Sequence, residues 1–563
     1  MKDLYRSLDE HPDELLGAIA TAWGIALPKD ESIRMVKRLG DAMLAPDAIA
    51  PVLASLSAQA QAALAYLAAR GGAAPARPSA LRFGALRRFG PARLRREKPW
   101  LAPTSPLEEL YYKGLVYRAY GQVGSYIGDL VLIPDDLAAC LPPLEAASAV
   151  GDTERHEEPT RTRAERQALL EDLQATIVSL RRQPLVRAAQ RAPTPHDMAA
   201  LGLDRRLLGS DESARVRILW NSLVRQELIE HDGRQWRPAL AARHWLNQSD
   251  AEQWLATFSA WRDDQTYDEL FYLPTIECEP DGGQTRPAQA RRRFCAILAT
   301  YEAGIWYGLD SLVDALQEHH PDYLRPDGDM DSWLIRDAET GDYIRGIESW
   351  DAVEGALARH WLTGPLHWLG IVELGHDAED APPVGLRITP AGEQLLAGEL
   401  PAASAAAPEP LARMDGEMRV QISTRNTRYP RYQLERLAEW QGQDDEDARY
   451  LLTEDSIWQS QNAGIQGEAI RSFLRRITGG PLPATVDDTL SAWTERFGRV
   501  SVRRAVVLET VDEATMAEIR QAPELAPLLG ISLGPTLCLI DEQNLGALIA
   551  GLKRRDIWPR IMR

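Results

Sequence analysis

The spacing of apolar residues predicts one order of elements three times along the chain: a helix, a break, a strand, a turn and a second strand. The middle copy is the clearest, because residues 216–225 have the apolar period of a helix and Asp232-Gly233 lies between two short apolar runs, a strong hairpin signal. A helical triad followed by such a hairpin is typical of a winged helix. The predicted hairpin strands are 115–119 with 126–133, 228–231 with 235–237, and 370–374 with 385–389.

A helix precedes each hairpin, and the third copy has a further helix after it. In that copy one predicted helix ends within TGPLHWLGIVELG. The last strand and a helix that begins at Pro390 follow in GLRITPAGEQLL. Several tryptophans fall in register with leucine and isoleucine, so we predict that they pack in the core rather than stack on bases. The predicted helices include 62–69, 78–89, 216–225 and 352–368, and the tryptophans are Trp220, Trp236, Trp245, Trp361 and Trp368.

The N-terminal residues predict two apolar helices separated by Gly24. This unit resembles a SAP-like hairpin, in which the basic residues of the second helix face nucleic acid. The alternative is a two-helix cap whose basic face is simply solvated. The basic residues concerned are Lys29, Arg34, Lys37 and Arg38.

The last part of the chain has a different pattern. It predicts a strand at 419–423, a helix at 432–441, two helices on either side of Asn462-Ala463-Gly464, and a helix around Trp493. Strands at 505–508 and 536–540 and helices at 514–520 and 542–554 follow. We expect strands 419–423, 505–508 and 536–540 to form one small sheet beneath the helices.

This last part resembles the N-terminal domain of XPB-type DNA repair helicases, which also occurs in bacterial and archaeal helicase-associated proteins. The stretches PLHWLGIVEL and LRITPAGEQLL are similar to the winged-helix repeats that precede that domain in bacterial members. The resemblance rests on Leu452-Thr453, Ser456, Ala463-Gly464-Ile465, residues 470–474, 481–483 and 497–500, Trp493, residues 505–508, and LIAGLKRRDIWP at 548–559.

The resemblance implies association with DNA and with a helicase of XPB type or another superfamily II motor. The chain lacks the GxxxxGK[ST] phosphate loop, so we do not expect it to be the motor itself. The predicted fold class is α+β, mainly α. The predicted segments are a SAP-like hairpin (1–50), a winged-helix-like domain (51–144), a linker (145–166), a winged-helix domain (167–260), a winged-helix domain with insertions (261–398), a linker (399–413) and the XPB N-terminal-like domain (414–563).

The charge of the chain and its distribution bear on the prediction of DNA binding. The 563 residues carry a net charge of −19, which argues against non-specific coating of nucleic acid. Residues 81–100 nevertheless form a basic stripe whose arginines we predict to contact phosphates, unless they pair with the protein's own carboxylates. The stripe arginines are Arg87, Arg88, Arg93, Arg95 and Arg96, and a second predicted surface for DNA or a partner has Arg471, Arg475, Arg476, Lys553, Arg554 and Arg555.

Candidate chemistry is sparse. Asp327, Asp329 and Asp331 resemble half of a calcium loop, but Ser332 replaces the turn glycine. We interpret His319-His320 as solvated and the acidic run 444–447 as a surface loop rather than a nuclease centre. No catalytic residue, metal ligand or cofactor is predicted. The chain has no membrane-length apolar run and no signal peptide, so we expect a cytoplasmic protein.

These observations favour a non-enzymatic, DNA-binding, helicase-associated protein of DNA repair or genome defence. Three alternatives stay open. They are a winged-helix transcriptional regulator, a divergent metal-dependent nuclease and a protein-interaction scaffold.

Overall fold

The computed structural model divides into two compact units. The first comprises residues 1–413, 421–436 and 440–450, and the second comprises 414–420, 437–439 and 451–563. The described residues are 3–26, 32–123, 126–144, 153–165, 168–186, 193–207, 213–279, 285–379, 381–402, 408–444, 446–502 and 506–562. Lys29, Asp445 and parts of both predicted linkers lie outside them.

Four helices open the first unit and share a hydrophobic core with the first hairpin. Gly24, with a φ of 67°, follows the second of these helices, as the sequence predicted. The elements are α1 Leu4–Asp9, α2 Asp13–Ala22, α3 Ser32–Met43 and α4 Ile49–Ala54.

Module 1, residues 58–132, has the order helix, strand, helix, helix, hairpin, with one additional helix, Pro91–Glu97, between its second helix and the helix before the hairpin. Its short first strand pairs with the second hairpin strand, at Ala73 with Leu132. The predicted helix 78–89 is wrong at its end, because Gly84 at φ 76° stops the helix and a second one starts at Pro91. The elements are α5 Ala58–Ala69, β1 Ala73–Pro75, α6 Ala76–Phe83, α7 Pro91–Glu97, α8 Pro106–Tyr112, β2 Tyr117–Val123 and β3 Tyr126–Leu132; α9 Asp135–Ala138 follows.

Module 2, residues 168–238, repeats that order in reduced form. A single residue, Leu185, takes the place of the first strand and exchanges two backbone hydrogen bonds with Trp236, of 3.1 and 2.8 Å. The elements are α10 Ala168–Arg182, α11 Pro195–Ala200, α12 Ser213–Arg225, β5 Ile229–His231 and β6 Trp236–Pro238; α13 Leu240–Leu246 and α14 Asp250–Arg262 follow.

Module 3, residues 287–388, has the same order again, with an insertion after its second helix. Its first strand pairs with the second hairpin strand, at Gly308 with Gly385. The predicted helix 352–368 is interrupted: a π-turn occupies Asp351–Gly355 and Gly364 separates two short helices. The elements are α15 Pro287–Leu298, β8 Trp306–Gly308, α16 Leu309–His319, α17 Ala356–Thr363, α18 Pro365–Trp368, β10 Val372–His376 and β11 Pro383–Ile388; α19 Pro390–Leu396 follows. Strand β9 Ile335–Asp337 of the insertion pairs with β7 Ile276–Cys278, which precedes the module.

Two features connect parts of the chain that the sequence analysis placed in separate segments. Strand β4, Arg161–Arg163, lies inside the predicted linker 145–166 and pairs with β10. All three of its residues are exposed, so its pairing depends on backbone hydrogen bonds and leaves no apolar signal in the sequence. One hydrophobic core also takes side chains from both modules 2 and 3, and it contains all five predicted tryptophans.

The Thr-Pro-x-Gly sequence after β11 connects the hairpin of module 3 to the helix that follows it, α19. The Thr389 hydroxyl donates to the Gly370 carbonyl and accepts from the Gly392 amide, both at 2.8 Å. A Cβ atom at Gly392 would lie 2.2 Å from the Ile371 carbonyl oxygen. Thr389 therefore caps α19, and glycine is needed because two backbone segments touch.

A buried ionic cluster connects α10 to a segment far along the chain. Glu171 accepts from Arg431 at 2.6 and 2.8 Å and pairs with Arg428 at 2.8 Å. Arg428 also binds Asp250 and, at 2.8 Å, Gln253. Burial alone would raise the pKa of Glu171, but the guanidinium groups of Arg431 and Arg428 lower it to about 2.

Both arginines lie on α20, Arg428–Leu434. The predicted helix 432–441 is therefore displaced, because residues 439–443 form a strand instead. Residues 421–436 and 440–450 belong to the first unit, although the sequence analysis places them after a linker. The strands of this region are β12 Ala412–Met414, β13 Arg419–Ser423, β14 Glu439–Gln443 and β15 Asp447–Leu451, which form one four-stranded sheet.

The second unit contains a group of three helices, followed by a separate three-stranded sheet with two further helices. The predicted sheet is wrong in one member, because strand 419–423 is not part of it, and an unpredicted strand, Leu529–Ser532, takes the edge beside strand Leu537–Ile540. The elements are α21 Glu454–Asn462, α22 Gly467–Thr478, α23 Ala484–Arg496, β16 Val506–Glu509, α24 Glu513–Gln521, β17 Leu529–Ser532, β18 Leu537–Ile540 and α25 Leu545–Arg554.

Replacing Trp368 tests the core of module 3. Its side chain is 6% exposed, so we expect Trp368→Ala to lower the free energy of unfolding by roughly 3–5 kcal/mol through a cavity. Tyr120→Ala, at a side chain 76% exposed, is the control and should change little. Denaturant unfolding measures both, and equal effects would contradict the packing described.

Removing Glu171 tests the buried cluster. Glu171→Ala leaves Arg431 buried without a carboxylate and leaves Arg428 with Asp250 alone, so we expect a loss of about 3–5 kcal/mol in the free energy of unfolding. The control is Glu230→Ala, which breaks an exposed 2.9 Å pair with Arg237 and should cost at most about 1 kcal/mol. A Glu171→Ala protein as stable as the control would show that the cluster does not hold α20.

Candidate nucleic-acid interface

We call the helix directly before each hairpin the third helix; in module 1 this is α8, and the additional helix α7 precedes it. The third helix of each module is covered by protein. In module 3 no residue from 356 to 370 is exposed, and in α8 of module 1 none from 106 to 112 is exposed. In α12 of module 2 only the end residues Ser213 and Arg225 are exposed. None of these helices can enter a DNA groove without leaving the core.

The basic stripe is on the surface and forms ion pairs with carboxylates of the first unit. Four of its arginines have side chains between 59% and 77% exposed. The pairs are Arg88 with Asp129 at 3.2 Å, Arg93 with Glu97 at 2.9 Å, Arg95 with Glu14 at 2.5 Å and Arg96 with Glu97 at 3.2 Å.

Arg87 differs from the other stripe arginines because its partner is buried. It donates to both oxygens of Glu108, at 2.7 and 2.8 Å, and the Glu108 side chain is 1% exposed. Burial would raise the pKa of Glu108, but hydrogen bonds from Arg87 and Thr104 lower it to about 2. Arg87 thus holds a buried carboxylate in module 1.

The other predicted cations are distributed over separate elements. Lys37 and Arg38 are exposed on α3. In the second unit the cations of α22 lie among helices α21–α23, whereas Lys553 and Arg554 end the helix beside the three-stranded sheet. Their contacts are Arg471 with Glu468 at 3.0 Å, Arg475 with Asp487 at 3.2 Å, Arg476 over Phe473 at 5.4 Å, Lys553 over Trp558 at 5.5 Å and Arg555 with Glu524 at 3.0 Å.

A cleft of about 1100 Å³ opens within the first unit, between the hairpin of module 1 and helix α15 of module 3. Its cations are Arg70, Arg286 and Arg293, and in the described part of the chain no carboxylate forms an ion pair with any of them. Its other lining residues include Tyr66, Val123, Tyr126, Ile127, Asp322 and Asp327.

No local pattern in the sequence indicates this cleft. Its three arginines are separated by up to 223 positions, and only the packing of module 1 near α15 brings them together. The Arg70 guanidinium lies 3.8 Å from the Tyr66 ring centroid, and Arg293 donates a long hydrogen bond of 3.5 Å to the Asp322 carbonyl. Burial raises the pKa of Asp322, against the opposing effect of Arg293 and Arg70.

The candidate chemical residues have structural roles. His319 is buried and contacts Arg82 at 2.8 Å, and burial lowers the pKa of His320 to about 4, so the interpretation of both as solvated is wrong. Asp444 accepts from the Glu446 and Asp447 amides in a turn. Among the described residues, no group of three His, Cys, Asp or Glu side chains is placed to hold a metal ion.

Comparison with known protein families gives one match. Residues 414–533 are similar to the helicase conserved C-terminal domain. No curated protein matches the chain. No helix in the described residues is long and apolar enough to cross a membrane. The match supports a helicase-associated domain in the C-terminal part of a helicase-related protein.

Replacing Arg87 tests whether this residue, unlike the other stripe arginines, stabilises the fold. We expect Arg87→Gln to lower the thermal unfolding midpoint by several degrees, because Glu108 loses its guanidinium partner. Arg96→Gln, at an exposed pair, is the control and should leave the midpoint nearly unchanged.

The same variant has a predictable pH dependence. The stabilising effect of a lowered carboxyl pKa is present above the unfolded pKa of about 4.5 and is lost as the pH falls towards 2. The wild-type protein should lose this stability on acidification, and Arg87→Gln should lose less. Identical acid profiles for the two proteins would contradict the role given to Arg87.

Proposed function

We propose that the protein is a non-enzymatic, DNA-binding accessory protein of a helicase, acting in DNA repair or genome defence. The observation that carries this proposal is the threefold repetition of one module topology in a chain whose residues 414–533 resemble a helicase domain. In each module the first strand or bridge residue joins the second hairpin strand, which supports the interpretation of all three modules as winged helices.

DNA would contact the edges of these modules rather than their third helices, which are buried. The exposed arginines of the stripe are suited to this role. Exposed ion pairs contribute only about 0–1 kcal/mol, so phosphate groups can replace the carboxylates beside Arg88, Arg95 and Arg96 at little cost. Lys37 and Arg38 would extend the contact in the manner of a SAP-like hairpin.

The cations of the second unit would dock a helicase motor of XPB type or another superfamily II motor. Arg476, Lys553 and Arg554 are suited to an acidic partner surface, since none has a carboxylate within ion-pair distance in the described residues. The distribution of these cations over two groups of elements supports docking of a protein surface more than tracking of one DNA strand.

A protein-interaction scaffold is the second candidate. The burial of all three third helices favours it, because winged helices that read a DNA groove leave this helix accessible. The net charge of −19 favours it as well. The DNA-binding experiment below separates the two candidates.

Reversing the stripe tests DNA binding. We expect the triple variant Arg88→Glu, Arg95→Glu, Arg96→Glu to weaken binding of forked and duplex DNA and to reduce the slope of log affinity against log salt by about 0.9 per lost phosphate contact. Fluorescence anisotropy across a salt series measures both quantities. Arg87 is left in place to protect the fold.

The matched control reverses three other exposed arginines that also pair with the protein's own carboxylates. These are Arg155, Arg161 and Arg163, whose side chains are 55% to 68% exposed. The control changes net charge equally and should reduce binding much less. If the wild-type protein binds no DNA at low salt, the proposal is contradicted. The protein-interaction scaffold is then the remaining candidate function.

A further inference from the structure

We propose that the cleft between module 1 and helix α15 binds a short segment of single-stranded nucleic acid. Arg70, Arg286 and Arg293 would contact its phosphates, and Tyr126 and Ile127 would pack against its bases. This inference rests on the proposed DNA-binding function and assigns it a site that is separate from the basic stripe.

The charges of the cleft indicate an anionic ligand. The stripe arginines have carboxylate partners, whereas the cleft arginines have none in the described residues. Grouped cations repel one another unless an anion lies between them. The two acidic residues at the cleft, Asp322 and Asp327, oppose them only in part, because three arginines face two carboxylates.

The walls of the cleft indicate that the anion carries flat apolar groups. The hairpin of module 1 presents Val123, Tyr126 and Ile127 to the cleft, and Ile127 is 63% exposed. A base can stack on the aromatic ring of Tyr126, and such stacking tolerates any base. Phosphate contacts combined with base packing are the general mode of single-strand binding.

Size and strandedness agree with this assignment. A volume of about 1100 Å³ slightly exceeds the range of about 300–1000 Å³ for small-molecule sites, so the cleft suits a few linked units of a polymer. In a duplex the base faces are stacked inside the helix and are unavailable to Tyr126. An acidic peptide offers charge without a row of flat rings, so the cleft favours the nucleic acid.

The test uses the full-length protein and a fluorescein-labelled oligothymidylate of about 12 nucleotides. The variant is Arg70→Glu with Arg286→Glu, since both side chains are exposed and neither holds a buried carboxylate. The matched control is Arg345→Glu with Arg161→Glu, which changes the net charge equally; Arg345 lies over a tyrosine, Tyr343, at 5.2 Å, and both arginines lie outside the cleft. Anisotropy is measured across a salt series, and thermal unfolding shows that each variant is folded.

We expect the double variant to bind more than tenfold more weakly, with a salt slope reduced by about 0.7 per lost phosphate contact. The control should change affinity less than twofold. Tyr126→Ala should weaken binding with an unchanged slope, because it removes base packing and no charge. If the double reversal lowers the unfolding midpoint, Arg70→Gln with Arg286→Gln replaces it, with the same direction expected.

Three results would overturn the assignment. If wild-type protein binds the oligonucleotide and the double variant binds it equally well, the cleft is not the site, although the proposed DNA binding stands. If oligoglutamate binds in a cleft-dependent manner and the oligonucleotide does not, the cleft is a peptide site. If wild-type protein binds no DNA of any form, the proposed function fails and the assignment fails with it.

Discussion

The first unit depends on one buried interaction. In it the carboxylate of Glu171 pairs with the guanidinium groups of Arg428 and Arg431. Each of these charges is expensive to bury alone and is tolerated only because the others are in place. Helix α20 therefore has to remain against α10. As a result, residues 421–436 and 440–450, which lie within the helicase-like match, are part of the same compact unit as the three modules.

Fusing the modules in this way changes which surfaces are available for function. The cores of modules 2 and 3 are continuous, and the third helices are internal to the unit. The accessible features are hairpin edges, the stripe on α7 and the loop before it, and the cleft beside α15. In a chain of net charge −19, such local groups of arginine are the parts that a polyanion would reach.

Local patterns in the sequence predicted local structure well. The strand Arg419–Ser423 is confirmed, the three hairpins are confirmed with shifted ends, and Trp361 and Trp368 are buried as expected. Periodicity could not reveal β4 or the Leu185 bridge, since short edge segments pair through their backbones. It also could not reveal the Glu171 cluster or the cleft, since each combines residues from distant segments of the chain that become neighbours only through packing.

Hydrogen–deuterium exchange of the intact protein tests most directly whether α20 is part of the first unit. The amides of residues 428–434 should exchange as slowly as those of α10, residues 168–182, because one buried cluster holds both helices. A common slow rate under native conditions is the predicted result. Fast exchange of 428–434 beside slow exchange of 168–182 would show that α20 opens independently, and would contradict the account.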